Sequence, residues 1–281
     1  MIVVTGATGN IGRTLVPLLA EAGEEVVAVS RRPEPAGLPA GVRHARADLG
    51  DAASMRPVLD GADAFFILLG GELNGRGESP KALLEAAEAA GVKRLVLLSS
   101  QLNSTRPEAL SHTRLREFED AVRASGPDFT ILRPAGFASN AFAWAEAVRT
   151  KRTVFAPFGD VALPVIDPAD IAEVAAAALR DEGHAGRTYE LTGPEAIGPR
   201  RQAAVISEAL GEEIGFRELS REEAHAHMAQ FMPEEVIGGT LDVLGVPLPA
   251  EQVISPDVEN VLHRPARSFG EWVARNLPAF R

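Results

Sequence analysis

A glycine-rich segment between a short strand and a helix constrains the fold of this chain more than any other feature. Residues 2–5 are apolar and mostly β-branched, as in a buried strand, and residues 12–22 form an amphipathic run that stops at Gly23, as a helix does. The joining residues are Thr5, Gly6, Ala7, Thr8, Gly9, Asn10, Ile11 and Gly12. A strand, a glycine turn and a helix in this order predict the start of a βαβ unit.

The spacing of the three glycines is typical of a turn that holds a pyrophosphate. Gly6 permits the sharp turn, Gly9 lets a phosphate approach the backbone, and Gly12 lets the helix pack closely on the strand. Amide groups at the start of the helix then face the phosphates. A tight turn with incidental glycines is the alternative, which the register of strand, turn and helix disfavours. We therefore predict a dinucleotide contact from Gly6, Ala7, Thr8, Gly9, Asn10, Ile11 and Gly12.

The rest of the chain repeats this alternation of strand and helix. Strand-like runs follow at residues 25–30, 42–46, 64–69, 94–99 and 129–133. Helix-like stretches lie at residues 80–90, 113–124 and 170–179. The pattern predicts an α/β fold with a Rossmann-type doubly wound parallel sheet in residues 1–180. Residues 181–281 are predicted to form a smaller, mainly helical C-terminal lobe that caps the substrate, with the strand at 188–191 rejoining the sheet. Its helical segments are 201–210, 221–230 and 268–276.

Composition and charge exclude several classes of protein. The 281 residues include 28 basic and 39 acidic ones, a net charge of −11, and the basic residues form no stripe that would bind nucleic acid. There is no cysteine, which removes disulfides and thiolate chemistry, and no spacing typical of a metal site. No apolar run approaches the roughly 18 residues that span a bilayer, and the first strand starts at Met1 without a secretion signal. We expect a cytoplasmic protein that acts on a small molecule.

The end of the second strand indicates which dinucleotide is bound. Ser30, Arg31 and Arg32 stand about 20 residues past the glycines, where an acidic residue would bind the ribose hydroxyl of NAD. Guanidinium groups there instead neutralise a 2′-phosphate. NADP(H) is therefore predicted over NAD(H), although two solvated loop arginines would give the same pattern.

These motifs together resemble the NmrA-like branch of the atypical short-chain dehydrogenase/reductase superfamily, which includes quinone-oxidoreductase-like proteins. The resemblance continues through Asp48-Leu49, Ser125-Gly126, residues 130–134 and 167–172, and Tyr189 to Pro194. It implies that Asp48 and Leu49 contact the adenine, although Asp48 also fits a helix cap. It further implies cofactor contacts from Leu69, Gly70 and Ser99, although a serine at a strand end also fits a turn hydrogen bond.

The catalytic pair of the larger superfamily is missing. That pair is Tyr-x-x-x-Lys on the helix after the fifth strand, whereas the single tyrosine here is Tyr189, followed four residues later by Gly193. The corresponding positions hold Ser111 and Leu115. One residue further along, His112 and Arg116 repeat the i, i+4 spacing, so His112 is a candidate for a proton donor. An exposed polar helix face explains the same two residues.

Two functions fit these observations. The first is an NADPH-dependent reductase of a quinone, enone or carbonyl acceptor, with a substrate pocket predicted from Gln101, Phe137, Asn140, Trp144 and Phe158, part of which would be core. The second is a non-catalytic NAD(P)-responsive redox sensor that acts through a protein partner, as the resemblance implies, and the missing pair favours it. A specialised biosynthetic enzyme on the same scaffold is a third role.

Overall fold

The computed structural model describes residues 1–32, 37–70 and 77–281. Contacts group the chain into two compact units. The sheet unit consists of Met1–Ser104, His112–Pro134 and Pro168–Glu190, and the small unit of Thr105–Ser111, Ala135–Asp167 and Leu191–Arg281. The prediction instead divides the chain once, after residue 180. The small unit includes residues from the middle of the chain, because Ala135–Asp167 pack within it. The chain then returns to the sheet unit at Pro168.

The strands of the described residues belong to two sheets. In chain order they are β1 (Ile2–Val4), β2 (Val26–Ser30), β3 (Arg43–Arg46), β4 (Ala64–Leu68), β5 (Arg94–Leu98), β6 (Asp128–Pro134), β7 (Thr153–Pro157), β8 (Arg187–Leu191) and β9 (Gly215–Leu219). The seven-stranded sheet has the order β3-β2-β1-β4-β5-β6-β8, and the pairs from β3 to β6 are parallel. The predicted α/β, Rossmann-type sheet is confirmed.

Helices cover the strands, and most of the predicted ones end within two residues of the observed bounds. They are α1 (Gly12–Glu21), α2 (Ala52–Leu59), α3 (Pro80–Ala89), α4 (Leu102–Thr105), α5 (Thr113–Ala124), α6 (Ala145–Lys151), α7 (Pro168–Arg180), α8 (Pro199–Leu210), α9 (Arg221–Met228), α10 (Glu234–Gly245), α11 (Asp257–Leu262) and α12 (Phe269–Asn276). Sequence reasoning missed α2, which contains Pro57, the short helices α4, α6 and α11, and α10, which contains Gly238 and Gly239. Short length and an internal proline both weaken the periodic signal.

The position of β1 in the sheet opens a crevice at the carboxyl ends of the strands. β1 lies between β2 and β4, so the chain crosses in opposite directions on its two sides. At such a switch point the loops at the carboxyl ends of the strands separate and leave a crevice. The strands beside it are buried, with Val3, Val27 and Phe65 at 2% exposure or less, and this core holds the loops in place.

The small unit contains a two-stranded parallel sheet that the sequence did not predict. β7 pairs with β9, from Thr153 opposite Gly215 to Pro157 opposite Leu219. The side chains of β9 are mostly exposed, with Arg217 and Glu218 in the middle of the strand, so it lacks the apolar run by which a buried strand is recognised.

Within the described part of the chain, no helix is both long enough and apolar enough to cross a lipid bilayer.

Candidate functional site

The glycine turn has the shape of an anion-binding cradle. Gly6 has a φ of +64°, which an L side chain rarely adopts. A Cβ atom on Gly12 would lie 2.3 Å from the carbonyl oxygen of Gly6 and 2.5 Å from the Cα of Ala7, so only glycine fits there. A Cβ on Gly9 would lie 3.1 Å from the same oxygen. The turn is therefore sharp at Gly6 and tightly folded at Gly12, while the phosphate contact of Gly9 stays a prediction.

The helix that follows the turn starts without a side-chain cap. The N-cap residue of α1 is Ile11, which accepts no side-chain hydrogen bond, and no acidic residue occupies the first turn. The first amide groups of a helix and the positive end of its dipole favour an anion. Thr8 and Asn10 are exposed beside them. The turn therefore fits a diphosphate in shape and in charge.

Thr5 fixes the turn to the neighbouring strand. Its Oγ1 donates to the carbonyl oxygen of Phe66 at 2.9 Å and accepts from the amide of Leu68 at 2.9 Å. This hydroxyl is buried and joins the carboxyl ends of β1 and β4. A strand-end threonine gives no distinctive sequence signal, so this positioning role was not predicted.

Basic side chains gather at the carboxyl ends of β2 and β3. Arg31 and Arg32 are exposed after β2, and Ser30 Oγ donates to the carbonyl oxygen of Arg32 at 3.0 Å. Ser30 is in register with Arg46 on β3, whose Nε donates to the carbonyl oxygen of Arg31 at 3.1 Å. His44 Nε2 lies 2.9 Å from Ser30 Oγ. Arg46 and His44 were missed by sequence reasoning, because their place beside Ser30 depends on strand pairing.

Asp48 shapes a turn instead of capping a helix. Its Oδ1 accepts from the amide of Gly50 at 2.9 Å. The cap of α2 is Asp51, which accepts from the amides of Ala53 and Ser54. The alternative interpretation of Asp48 as a helix cap is therefore wrong, and its predicted adenine contact stays a prediction.

The other predicted cofactor residues of the sheet unit lie at or near strand ends. The Leu49 side chain is buried in the core at 8% exposure, and Leu69 packs partly buried against the same core. Gly70 follows it, half-buried. A contact from Leu49 to a cofactor would thus come from its backbone.

The Ser99 hydroxyl belongs to a buried polar network beyond the end of β5. It donates to Glu119 Oε1 at 2.5 Å and accepts from the side-chain amide nitrogen Nδ2 of Asn103 at 2.9 Å. Arg133 makes two hydrogen bonds to the Glu119 carboxylate, at 2.6 and 3.0 Å. Burial alone would raise the pKa of Glu119. Hydrogen bonds from Arg133, Ser99 and Asn103 outweigh that effect and lower the pKa to about 2.

The opposite side of Arg133 faces a second carboxylate. Arg133 Nη1 lies 3.3 Å from Glu190 Oε1, which also accepts from the Ser104 hydroxyl at 2.9 Å. Here burial is the larger effect and raises the pKa of Glu190 above its ordinary value. Sequence reasoning singled out Ser99 but missed this network, since its members are far apart along the chain.

His112 is the residue at the N-cap position of α5, where its half-buried side chain makes no capping hydrogen bond. Burial first, and the nearby Arg116 guanidinium second, lower the pKa of His112 below its ordinary value. The positive charge of Arg116, four residues further along, therefore disfavours the protonated form of His112.

The small unit contains a large apolar cavity of about 870 Å³. Phe137, Asn140 and Trp144, three of the predicted pocket residues, line it. Phe158 is not among the lining residues, since its ring packs against Gly245 in a separate small core. Gln101 belongs to the sheet unit, where its backbone N–H donates to the carbonyl oxygen of Pro134 at 3.0 Å.

Further lining residues come from parts of the chain that sequence reasoning did not connect. They are mostly apolar, and Phe155, Met228, Met232 and Leu244 are examples. These residues belong to β7, α9, α10 and the loop between the two helices, so only the packing of the small unit brings them together.

Comparisons with known proteins agree with this geometry. A family model described as NAD(P)H-binding matches residues 6–182. The (4-alkanoyl-5-oxo-2,5-dihydrofuran-3-yl)methyl phosphate reductase of Streptomyces griseus is 38% identical over 100% of this chain and 99% of its own length. The NAD(P)H azoreductase of Xenophilus azovorans is 32% identical over 100% of this chain and 99% of its own.

A solved structure shows the same fold. The crystal structure of an NADPH-dependent quinone oxidoreductase of Escherichia coli, complexed with NADPH, is similar with a TM-score of 0.83 and 27% identity, over 98% of this chain and 99% of that one. The resemblance to NmrA-like, quinone-oxidoreductase-like proteins is thereby confirmed. The relatives are named as reductases, and these comparisons give the sensor alternative no support.

Proposed function

The chain belongs to the NAD(P)H-binding family, and on that premise we propose that it is an NADPH-dependent reductase of apolar small-molecule acceptors such as quinones and enones. The observation that carries the proposal is the glycine turn, where a Cβ on Gly12 would overlap the backbone of Gly6 and Ala7. A backbone folded this tightly in front of an uncapped helix is suited to a diphosphate. Bound NADPH supplies a hydride to the acceptor.

The basic cluster at the ends of β2 and β3 supports the preference for NADPH. Arg31, Arg32 and Arg46 are exposed, and the Ser30 hydroxyl donates a hydrogen bond to the carbonyl oxygen of Arg32. A 2′-phosphate would gain charge-assisted hydrogen bonds from these guanidinium groups, while a 2′-hydroxyl would gain much less.

The missing tyrosine–lysine pair limits the chemistry that the protein performs unaided. A quinone accepts a hydride and then takes its proton from water, so it needs positioning more than acid catalysis. A carbonyl acceptor needs a proton donor, for which His112 is the candidate. The role of His112 is part of this proposal.

The named relatives support an unsaturated or conjugated acceptor. One acts on a 5-oxo-2,5-dihydrofuran that carries an alkanoyl group and a phosphate, and another is named for the azo group. The solved relative is named for quinones. These groups share a conjugated π-system that accepts a hydride. The small unit, with its apolar cavity, is the proposed substrate-binding part of the chain.

A panel of acceptors tests the proposal. Purified protein is mixed with NADPH and with quinones, enones, azo compounds and carbonyls, and NADPH absorbance is followed. We expect oxidation with at least the quinones, at a rate proportional to protein concentration. Unchanged absorbance with every acceptor, in protein that binds NADPH saturably, would contradict the reductase.

The cytoplasmic location predicted above stays a prediction.

A further inference from the structure

We propose that the natural acceptor carries a long, uncharged, apolar substituent, and that the cavity of the small unit binds this substituent. The inference rests on the proposed reductase function and adds the class of substrate. It follows from the size of the cavity, from the mostly apolar chemistry of its lining, and from three polar side chains that already bond within the protein.

The cavity is larger than a single-ring acceptor needs. Its volume of about 870 Å³ lies near the upper end of the range of roughly 300–1,000 Å³ that holds drug-sized ligands. A quinone or furanone ring would fill a minor part of this space. The remaining apolar surface stays in contact with water unless the ligand extends along it.

The lining provides apolar contacts over most of its surface. Phe137, Trp144 and Phe155 contribute rings, and Met228 and Met232 contribute flexible thioethers. Methionine side chains adapt to chains of different shape better than branched ones do. This combination suits a flexible hydrocarbon chain.

Three polar side chains of the lining, those of Gln202, Glu223 and Thr240, have partners within the protein. Gln202 Nε2 donates to the carbonyl oxygen of Ile197 at 3.2 Å, and the Thr240 hydroxyl donates to that of Val236 at 2.9 Å. Glu223 accepts from Arg217 Nη2 at 2.7 Å. A charged substituent would lose its hydration in the cavity and compete with these bonds, so an uncharged chain fits better.

The helix α9 and the residues after it give the apolar substituent a route from solvent into the cavity. Ala226, His227, Gln230 and Phe231 line the cavity and are also exposed, Phe231 at 65%. The alkanoyl group in the name of the Streptomyces griseus relative is a substituent of the proposed kind.

Intrinsic fluorescence tests the proposal without any turnover. The chain has two tryptophans, of which Trp144 lines the cavity and Trp272 is buried in a core at 3% exposure. The Trp272→Phe variant leaves Trp144 as the single reporter, and the Trp144→Phe variant leaves Trp272 as the matched control. The probes are 1-alkanols from butanol to dodecanol.

We expect a saturable change of fluorescence in Trp272→Phe and none in Trp144→Phe. The dissociation constant should fall by about threefold to fourfold for each added methylene until the cavity is filled. No saturable change, the same change in both variants, or no dependence on chain length would overturn the proposal.

Filling the cavity provides a second test. Ala147 lines the cavity, whereas Ala229 is exposed outside the lining. Ala147→Phe, or the milder Ala147→Leu should the first not fold, is expected to raise the dissociation constant for decanol at least fivefold. Ala229→Phe should leave it within twofold. Equal effects at the two positions would count against the cavity as the binding place.

Turnover with a series of alkyl-substituted benzoquinones separates the two proposals. In the wild-type protein KM is expected to fall with chain length while kcat changes little. Turnover without a chain-length effect on KM contradicts this inference alone. Saturable alkanol binding without NADPH oxidation contradicts the reductase alone.

Discussion

The Oγ of Ser99 donates a 2.5 Å hydrogen bond to Oε1 of Glu119, a residue 20 positions further along the chain. The Glu119 side chain is only 3% exposed and also accepts from the Arg133 guanidinium. A serine that the sequence marks as a cofactor contact is thus held by a buried carboxylate. Because Glu119 connects the residues after β5 with β6, it orients the end of the strand that is predicted to lie beside the nicotinamide.

Replacing Glu119 by Gln tests the strength of this network. The variant removes the charge that pairs with the half-buried Arg133 and with Arg123, so we expect the free energy of unfolding at pH 7 to fall by about 3 kcal/mol. Because the folded state lowers the pKa of Glu119 from 4.5 to about 2, the stabilisation is complete above pH 4.5 and is lost as the pH falls towards 2.

Urea unfolding between pH 7 and pH 3 measures both effects. The difference between the wild-type protein and Glu119→Gln should shrink below pH 4.5. Asp120→Asn, on the exposed side of the same helix, is the control and should change stability by less than about 0.5 kcal/mol. A constant difference at all pH values would show that the charge of Glu119 is not the cause.

Gly12→Ala is expected to disrupt the glycine turn. Its Cβ would meet the Gly6 oxygen at 2.3 Å and the Ala7 Cα at 2.5 Å, and backbone atoms cannot move away as a side chain does. We expect the free energy of unfolding to fall by about 3 kcal/mol or more. We also expect NADPH binding to be lost. Gly238→Ala is the control, since a Cβ there meets nothing within 4 Å and alanine favours the helix by up to about 1 kcal/mol. Thermal unfolding and NADPH titration of both variants check this, and normal NADPH affinity in Gly12→Ala would contradict the proposed turn.

Arg31→Ala and Arg46→Ala are each expected to weaken NADPH binding about tenfold and to leave NADH binding within twofold. The reason is the loss of one guanidinium from the proposed 2′-phosphate site, a charge-assisted bond of about 1.5 kcal/mol or more. Arg43→Ala is the matched control, because Arg43 is at the other end of β3 and pairs with Glu25. Calorimetric titrations measure the affinities. Equal losses for the two dinucleotides would refute the proposed specificity.

His112→Ala separates two kinds of acceptor. We expect turnover of carbonyl acceptors to fall about a hundredfold and that of quinones to stay within twofold, because water can protonate a reduced quinone. Burial and Arg116 lower the pKa of His112. As the pH rises, His112 therefore loses its proton at a lower pH than an ordinary histidine does. In the wild-type protein, kcat/KM for a carbonyl should therefore decline as the pH rises through that lowered pKa. Unchanged carbonyl turnover in the variant would remove His112 from the mechanism.

Local patterns in the sequence determined the dinucleotide turn and the class of fold. The glycines at positions 6, 9 and 12 and the alternation of strands and helices are legible because each depends on residues within a few positions of one another. The strands β1 to β6 were therefore predicted close to their observed bounds. The absence of the tyrosine–lysine pair was equally plain from the residue types alone.

Tertiary structure alone decided which distant residues meet. Arg46 joins Ser30 through strand register, and Arg106 makes a bidentate ion pair with the buried Glu251, 145 residues away. The cavity is lined by residues from positions 136 to 244, and its extent could not be read from one segment. Such contacts depend on how whole elements pack, because side-chain packing and buried charge pairing act between neighbours in space whatever their separation along the chain.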